Sequence, residues 1–167
     1  MRERITARVL LFDPDGRVLL MKGRLPSTPA APGVWFSVGG GAEPGESVLE
    51  AAAREIVEET GFTDAELAEV VWYREVVLSN RRGDPVLFKE SYVVARCAGG
   101  EPSREGWQAL ERELVDDLCW WSAAEIRAAR DEVFYPEGFA DLLEEVLAGP
   151  PPTAPRVLSL VRPDEAG

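Results

Sequence analysis

At 167 residues, 46% hydrophobic and 29% charged, the chain has the size and composition of one water-soluble domain that can bury a full core. Its formal charge of −12 excludes binding driven by basic side chains meeting nucleic-acid phosphates. The lack of histidine, with only Cys97 and Cys119, excludes a disulfide framework, a histidine-completed zinc site and a histidine general base. No apolar run approaches membrane-spanning length and Met1-Arg2-Glu3-Arg4 leads straight into a strand pattern, so a cytoplasmic protein with reduced thiols and no membrane partner is expected.

Ile5 to Phe12 and Val18 to Met21 alternate as strands, and Asp13-Pro14-Asp15-Gly16 between them has turn chemistry, which predicts a hairpin. Gly23 to Gly33, with Pro26, Pro29 and Pro32, reads as a surface loop bordering a pocket. Lys22 and Arg24 at its mouth either meet substrate phosphates or are solvated. Val34 to Val38 is a short strand that ends in Gly39-Gly40-Gly41, a bare backbone open to a metal or a phosphate.

Pro44-Gly45 bends the chain toward a helix that starts at Val48, where Ser47 and Glu50 form a capping box, and that closes about three turns later at Gly61. On it Glu55, Glu58 and Glu59 stand at i, i+3 and i+4 and share one arc. Like charges so spaced repel by a few tenths of a kcal/mol per pair, and the helix C-terminus disfavours each by roughly 0.3–1 kcal/mol. Stability alone does not select them. A hard divalent cation, Mg²⁺ or Mn²⁺, reverses the sign, and Arg54, one turn from both Glu50 and Glu58, can hold the acidic cluster in place.

Gly40, five residues, Glu46, seven residues and then Arg54-Glu55-Ile56-Val57-Glu58-Glu59-Thr60-Gly61-Phe62 resembles the Nudix box at each of its defined positions. The resemblance implies a Nudix fold, an α/β/α sandwich around a mixed β-sheet, and metal-dependent attack of water on a diphosphate linkage. It implies that Glu55, Glu58 and Glu59 bind the metal with the carbonyl of Gly39, and that Glu46 and Arg54 brace the loop against the helix. Val38 stands where many relatives have proline, which alters the rigidity of the turn and leaves the implied ligands in place.

After the box, Leu67 to Ser79 and Val86 to Cys97 are strand candidates, joined by Asn80-Arg81-Arg82-Gly83-Asp84. The two arginines at that tip are either solvated or reach a phosphate or ribose. Glu90 shares a strand face with Phe88, Tyr92 and Val94, so it either faces the metal site or sits near an edge in water. Trp107 to Asp117 is strongly acidic, and Nudix relatives often provide a further carboxylate from this part of the chain. Glu105, Glu111, Glu113, Asp116 and Asp117 compete for the role, no motif selects one, and we assign it to Glu113.

Leu118 to Trp121 reads as a strand, and Ser122 with Glu125 caps a helix running to about Arg130. Pro136 can take the first position of a final helix ending before Gly149, with Phe139, Leu142, Leu143, Val146 and Leu147 on its core face. Residues 1–150 then form one domain and 151–167 an extended tail, in which Arg156 to Val161 is apolar enough to add a strand or to cover a second copy in a homodimer. Of the tryptophans, Trp35 and Trp107 have the best claim to line a nucleobase pocket.

These readings predict a Mg²⁺- or Mn²⁺-dependent pyrophosphohydrolase acting on a nucleoside diphosphate linked to another moiety: a nucleoside triphosphate, a dinucleotide or a nucleotide sugar. Arg54, Glu58, Glu59 and Glu113 carry catalysis, and Lys22, Arg24, Trp35, Gly40, Gly41 and Arg81 meet the substrate. The alternative is a non-catalytic nucleotide-binding module that regulates a partner; in relatives of that kind the box is usually damaged or a DNA-binding domain is attached. Leu78, Ser79 and Asn80 fill the places about 15–17 residues past the box where subfamilies carry a signature proline or tyrosine, so no substrate class is selected.

Overall fold

Alternation along the first strand decides the architecture. The computed structural model of the chain describes residues 1–162; the end of the expected tail, 163–167, lies outside the described residues. In β1 (Arg2–Phe12), Ala7, Val9 and Leu11 face one apolar cluster while Leu10 and Phe12 face another, so the sheet is buried on both sides. Six further strands complete it: β2 (Val18–Gly23), β3 (Val34–Gly41), β4 (Glu66–Ser79), β5 (Pro85–Arg96), β6 (Val115–Trp121) and β7 (Arg156–Ser159). Their order is β6-β2-β3-β1-β5-β4-β7, with β1–β5 and β4–β7 parallel and the other neighbours antiparallel.

Helix α1 (Val48–Thr60) covers the first face with Ala51, Ala52 and Ile56 against Val38 and Val93. α2 (Ala109–Leu114) leads into β6, and α3 (Ala123–Ala128) and α4 (Phe139–Ala148) cover the second face, where Phe139 meets Trp72 edge-on at 6.0 Å. The result is the α/β/α sandwich with a mixed sheet. Both capping boxes form, Ser47 with Glu50 and Ser122 with Glu125, and Gly61 ends α1 in the left-handed region at φ 76°.

Four expectations need correcting. β1 and β2 are not a simple hairpin: they pair only at Phe12↔Val18, and β3 then inserts between them. The buried Asp13 carboxylate accepts from the amides of Asp15 and Arg17, which makes the turn but does not hold the strands together beyond it. Pro136 precedes α4, whose cap is Gly138, and the Tyr135–Pro136 bond is cis. Trp107 to Asp117, for which no element was expected, forms α2 in its middle. Leu147 stands 45% exposed at the rim while Leu143 is 1% exposed in the core. In the tail, Arg156–Ser159 pairs with the edge of β4, and Arg156 bonds the Glu145 carboxylate of α4. No helix among the described residues is long and apolar enough to cross a membrane.

The contrast within α4 is testable. Leu143→Ala should lower the unfolding free energy by about 2–5 kcal/mol in denaturant titration, and Leu147→Ala by well under that.

Candidate active site

The acidic residues are gathered where β3 runs out into glycines. β3 stays paired to β1 through Ala7↔Gly40 and Thr6↔Gly41, so the turn is an extension of the sheet. α1 then crosses close above it. A Cβ at position 40 would meet the Glu55 carboxylate and displace it, so glycine lets that carboxylate lie against the backbone.

Arg54 is the hub. Its Nε and Nη2 clasp the two oxygens of Glu46 at 2.8 and 2.9 Å, and Nη2 also donates to the carbonyl of Gly41 at 3.1 Å. Nη1 reaches Glu55 Oε1 at 2.9 Å and Glu58 Oε2 at 3.2 Å. These charge-assisted bonds lock the loop to the helix. The Arg54 hydrogen bonds, with the Glu43 amide, hold the Glu46 carboxyl at about 2.

Glu59 turns the other way. Its Oε2 accepts the amide of Gly39 at 2.8 Å, and its backbone carbonyl accepts Trp107 Nε1 at 2.7 Å. Glu55 and Glu59 are 8% and 6% exposed. Burial, and then the Glu55 charge, pushes the Glu59 carboxyl up to about 8. Burial raises Glu55 as well, the Glu58 charge adds to it, and Arg54 opposes both.

A fourth carboxylate comes from α2. Ser103 N donates to Thr60 O at 2.7 Å, and with the Trp107 bond this pins the chain leading into α2 onto the end of α1. Glu111 is thereby brought within electrostatic range of both Glu55 and Glu59, and its Oε2 is buried without a hydrogen-bond partner. Glu113, expected in this role, lies on the far side and pairs with Arg81 at 2.7 Å at the surface. Two residues apart was close enough in sequence for both to compete, and the i, i+2 spacing puts them on different sides of α2.

Other expected contacts go elsewhere. Lys22 is paired with Glu132 at 2.9 Å, and Arg24 is tied to Asp116 at 3.2 Å and to the carbonyls of Pro29 and Glu113. Trp35 is buried, donates to Glu132 at 3.0 Å and packs edge-on against Trp121. Trp107 is buried too, so neither ring is presented for base stacking. Glu90 takes neither of its two expected settings. It is fully buried in an ion pair with Arg8 at 3.0 Å and Arg74 at 2.5 Å; burial alone would raise its carboxyl, but the two guanidinium groups outweigh that and hold it low. Arg8, opposite Gly39 in the β1–β3 register, is a site-adjacent cation the sequence reading passed over. The visible signal was basic residues at alternate positions 2, 4 and 8 of a strand.

As the side chains stand, no three acidic or sulfur groups among the described residues converge into a metal cluster. Arg54 draws Glu55 and Glu58, and Gly39 draws Glu59. The donor set nonetheless fits a hard divalent cation. It is all oxygen, it is crowded with like charge, and the buried Glu111 Oε2 lacks any partner.

The NUDIX domain family model matches residues 2–142. Two curated sequences described as RNA pyrophosphohydrolase, from strains of Caulobacter vibrioides, are 46% identical over 59 residues, which is 35% of this chain and 33% of theirs. The chain thus spans about a third of the length of the curated relatives it matches. Similar folds include a dihydroneopterin triphosphate pyrophosphohydrolase from E. coli, with TM-score 0.62, 18% identity, and 89% of this chain and 100% of that one covered. An ADP-ribose pyrophosphatase from Streptococcus suis has TM-score 0.59 and 17% identity over 92% and 98% of the two chains. A MutT protein from Methanosarcina mazei Go1 has TM-score 0.58 and 21% identity over 88% and 94%.

The raised Glu59 carboxyl sets the sign of a pH effect. In the unfolded chain it ionises near 4.5 and in the folded one near 8, so between these values the folded state holds an extra proton and stability falls as pH rises. In chelator-treated buffer, Glu59→Gln should therefore melt higher than the wild type at pH 8, with the difference shrinking toward pH 4.5. Thermal melts across that range check it.

Proposed function

Because the chain belongs to the NUDIX family, we propose that it is a divalent-metal-dependent pyrophosphohydrolase that cleaves the diphosphate linkage of a small nucleotide-type substrate. The observation that carries this reading is the grouping of Glu55, Glu58, Glu59 and Glu111 beside Gly39–Gly41, with Arg54 holding Glu55 and Glu58 and the Gly39 amide holding Glu59. Two of the fold neighbours are described as an ADP-ribose pyrophosphatase and a dihydroneopterin triphosphate pyrophosphohydrolase, and the curated relatives as RNA pyrophosphohydrolase, which supports a diphosphate linkage as the bond that is cut. A net charge of −12 favours a small substrate over a long polyanion.

Glu55, Glu58, Glu59 and the carbonyl of Gly39 would hold Mg²⁺ or Mn²⁺, which when bound polarises phosphate oxygens and offsets developing charge. Everything else falls to the chain itself. Arg54 keeps Glu46, Gly41 and the helix in one geometry, so that the backbone carrying the carboxylates is fixed before the substrate reacts. Glu111, with one oxygen free of any donor, would accept the proton from the attacking water. An O–P bond then forms from that water, the anhydride P–O bond opposite it breaks, and the departing phosphate takes the electron pair.

With Mg²⁺ or Mn²⁺ and a nucleotide panel, Glu58→Gln, Glu59→Gln and Glu111→Gln should each lower kcat/KM by about 10²–10⁴-fold. Glu113→Gln, which removes an exposed ion pair, should change it by no more than about twofold. Full activity in Glu58→Gln and Glu59→Gln would overturn the assignment. Nucleotide binding without turnover in the wild type would favour the regulatory module instead.

A further inference from the structure

Beyond the acidic site, one face of β1 carries a track of cations. Arg2, Arg4, Thr6 and Arg8 fall on the same face by strand alternation, roughly 7 Å apart at successive positions. Arg8 is committed to Glu90. Arg4 folds back so that its guanidinium lies where a side chain at Gly41 would otherwise stand, on the residue whose carbonyl Arg54 holds. Arg2 lines a surface hollow of about 660 Å³ between the start of β1 and the β4–β5 turn, together with Arg82, Asn80 and Asp84.

Among the described residues the guanidinium groups of Arg2, Arg4 and Arg82 make no ion pair or hydrogen bond. With 30 acidic against 18 basic side chains in the chain, carboxylate partners are abundant, yet Arg2 and Arg82 share the hollow, and Arg4 stands two residues along β1 from Arg2, without one. The nearby acids are otherwise engaged. Asp84 accepts from Asn80 at 3.1 Å, Glu113 holds Arg81, and Glu3 on the opposite strand face pairs with Lys89 at 2.8 Å. A planar guanidinium that keeps its donors free is suited to phosphate oxygens.

We propose that Arg4, Arg2 and Arg82 form a second anion subsite, which binds a phosphate of the substrate lying beyond the scissile diphosphate. It rests on the hydrolase reading for its role in turnover, since Arg4 packs at Gly41, whose carbonyl accepts from Arg54. The substrate class it selects is a nucleotide with at least one phosphate more than the linkage being cut. That phosphate either extends the chain or sits elsewhere on the nucleotide.

Calorimetric titration of the full chain in chelator-treated buffer tests this with two probes, inorganic tripolyphosphate for an extended chain and adenosine 3′,5′-bisphosphate for a remote phosphate. Arg2→Ala, Arg4→Ala and Arg82→Ala should each weaken binding of the preferred probe roughly tenfold, and Arg130→Ala, which removes an exposed charge elsewhere, should leave it unchanged. Thermal melts confirm that each variant is folded. Equal affinities in all five proteins, an equal loss in Arg130→Ala, or no binding of either probe would overturn the subsite. Arginine-dependent binding in a chain that hydrolyses nothing on the nucleotide panel would leave the subsite standing and remove the hydrolase reading, and the reverse pattern would remove the subsite alone.

Discussion

A single guanidinium holds the site together. Arg54 donates to Glu46, to the carbonyl of Gly41, to Glu55 and to Glu58, so the loop before α1 and the acidic end of α1 share one cation. Its planar fork suits this, since separate donors point at separate acceptors without strain. It neutralises only part of what surrounds it. Glu59 is left to an amide, and Glu111 to nothing. Burial first, and the remaining repulsion after it, push the Glu55 and Glu59 carboxyls up.

The fold serves this arrangement through two close approaches. β3 keeps its pairing with β1 into the glycines, which gives α1 a rigid floor, and the segment from Ser103 to Trp107 clamps the far end of α1 and brings α2 over it. On the opposite face of the sheet, Phe139, Leu142 and Leu143 of α4 share one apolar cluster with Trp72 and Tyr92. Charge is distributed in the same way. The acids crowd one side of the glycine turn, and arginines at alternate positions line the neighbouring strand.

Much of this was legible in the chain because it is local. The caps at Ser47 and Ser122, the left-handed Gly61, the strands and the i, i+3, i+4 spacing of Glu55, Glu58 and Glu59 all depend on neighbours within a few residues. What was not legible depends on partners far along the chain. Insertion of β3 between β1 and β2 is decided by sheet pairing, not by turn chemistry. Glu90 was read as exposed or functional because its partners, Arg8 and Arg74, lie on other strands. Glu111 and Glu113 differ only in which side of a two-turn helix faces α1, and α2 itself was hidden in an acidic stretch with weak periodicity. Trp35 looked available for a base until Glu132, Trp121 and Phe134 were found around it.

The central claim is that crowded carboxylates at the end of α1 are tolerated because they grip a divalent cation. Titration of Mn²⁺ into the protein, followed by the electron paramagnetic resonance signal of the free ion, tests it most directly. The wild type should remove the free signal in a saturable way, and Glu55→Gln should weaken that binding by at least tenfold. A wild type that leaves the signal untouched at millimolar protein, or that binds no better than Glu55→Gln, would contradict the account.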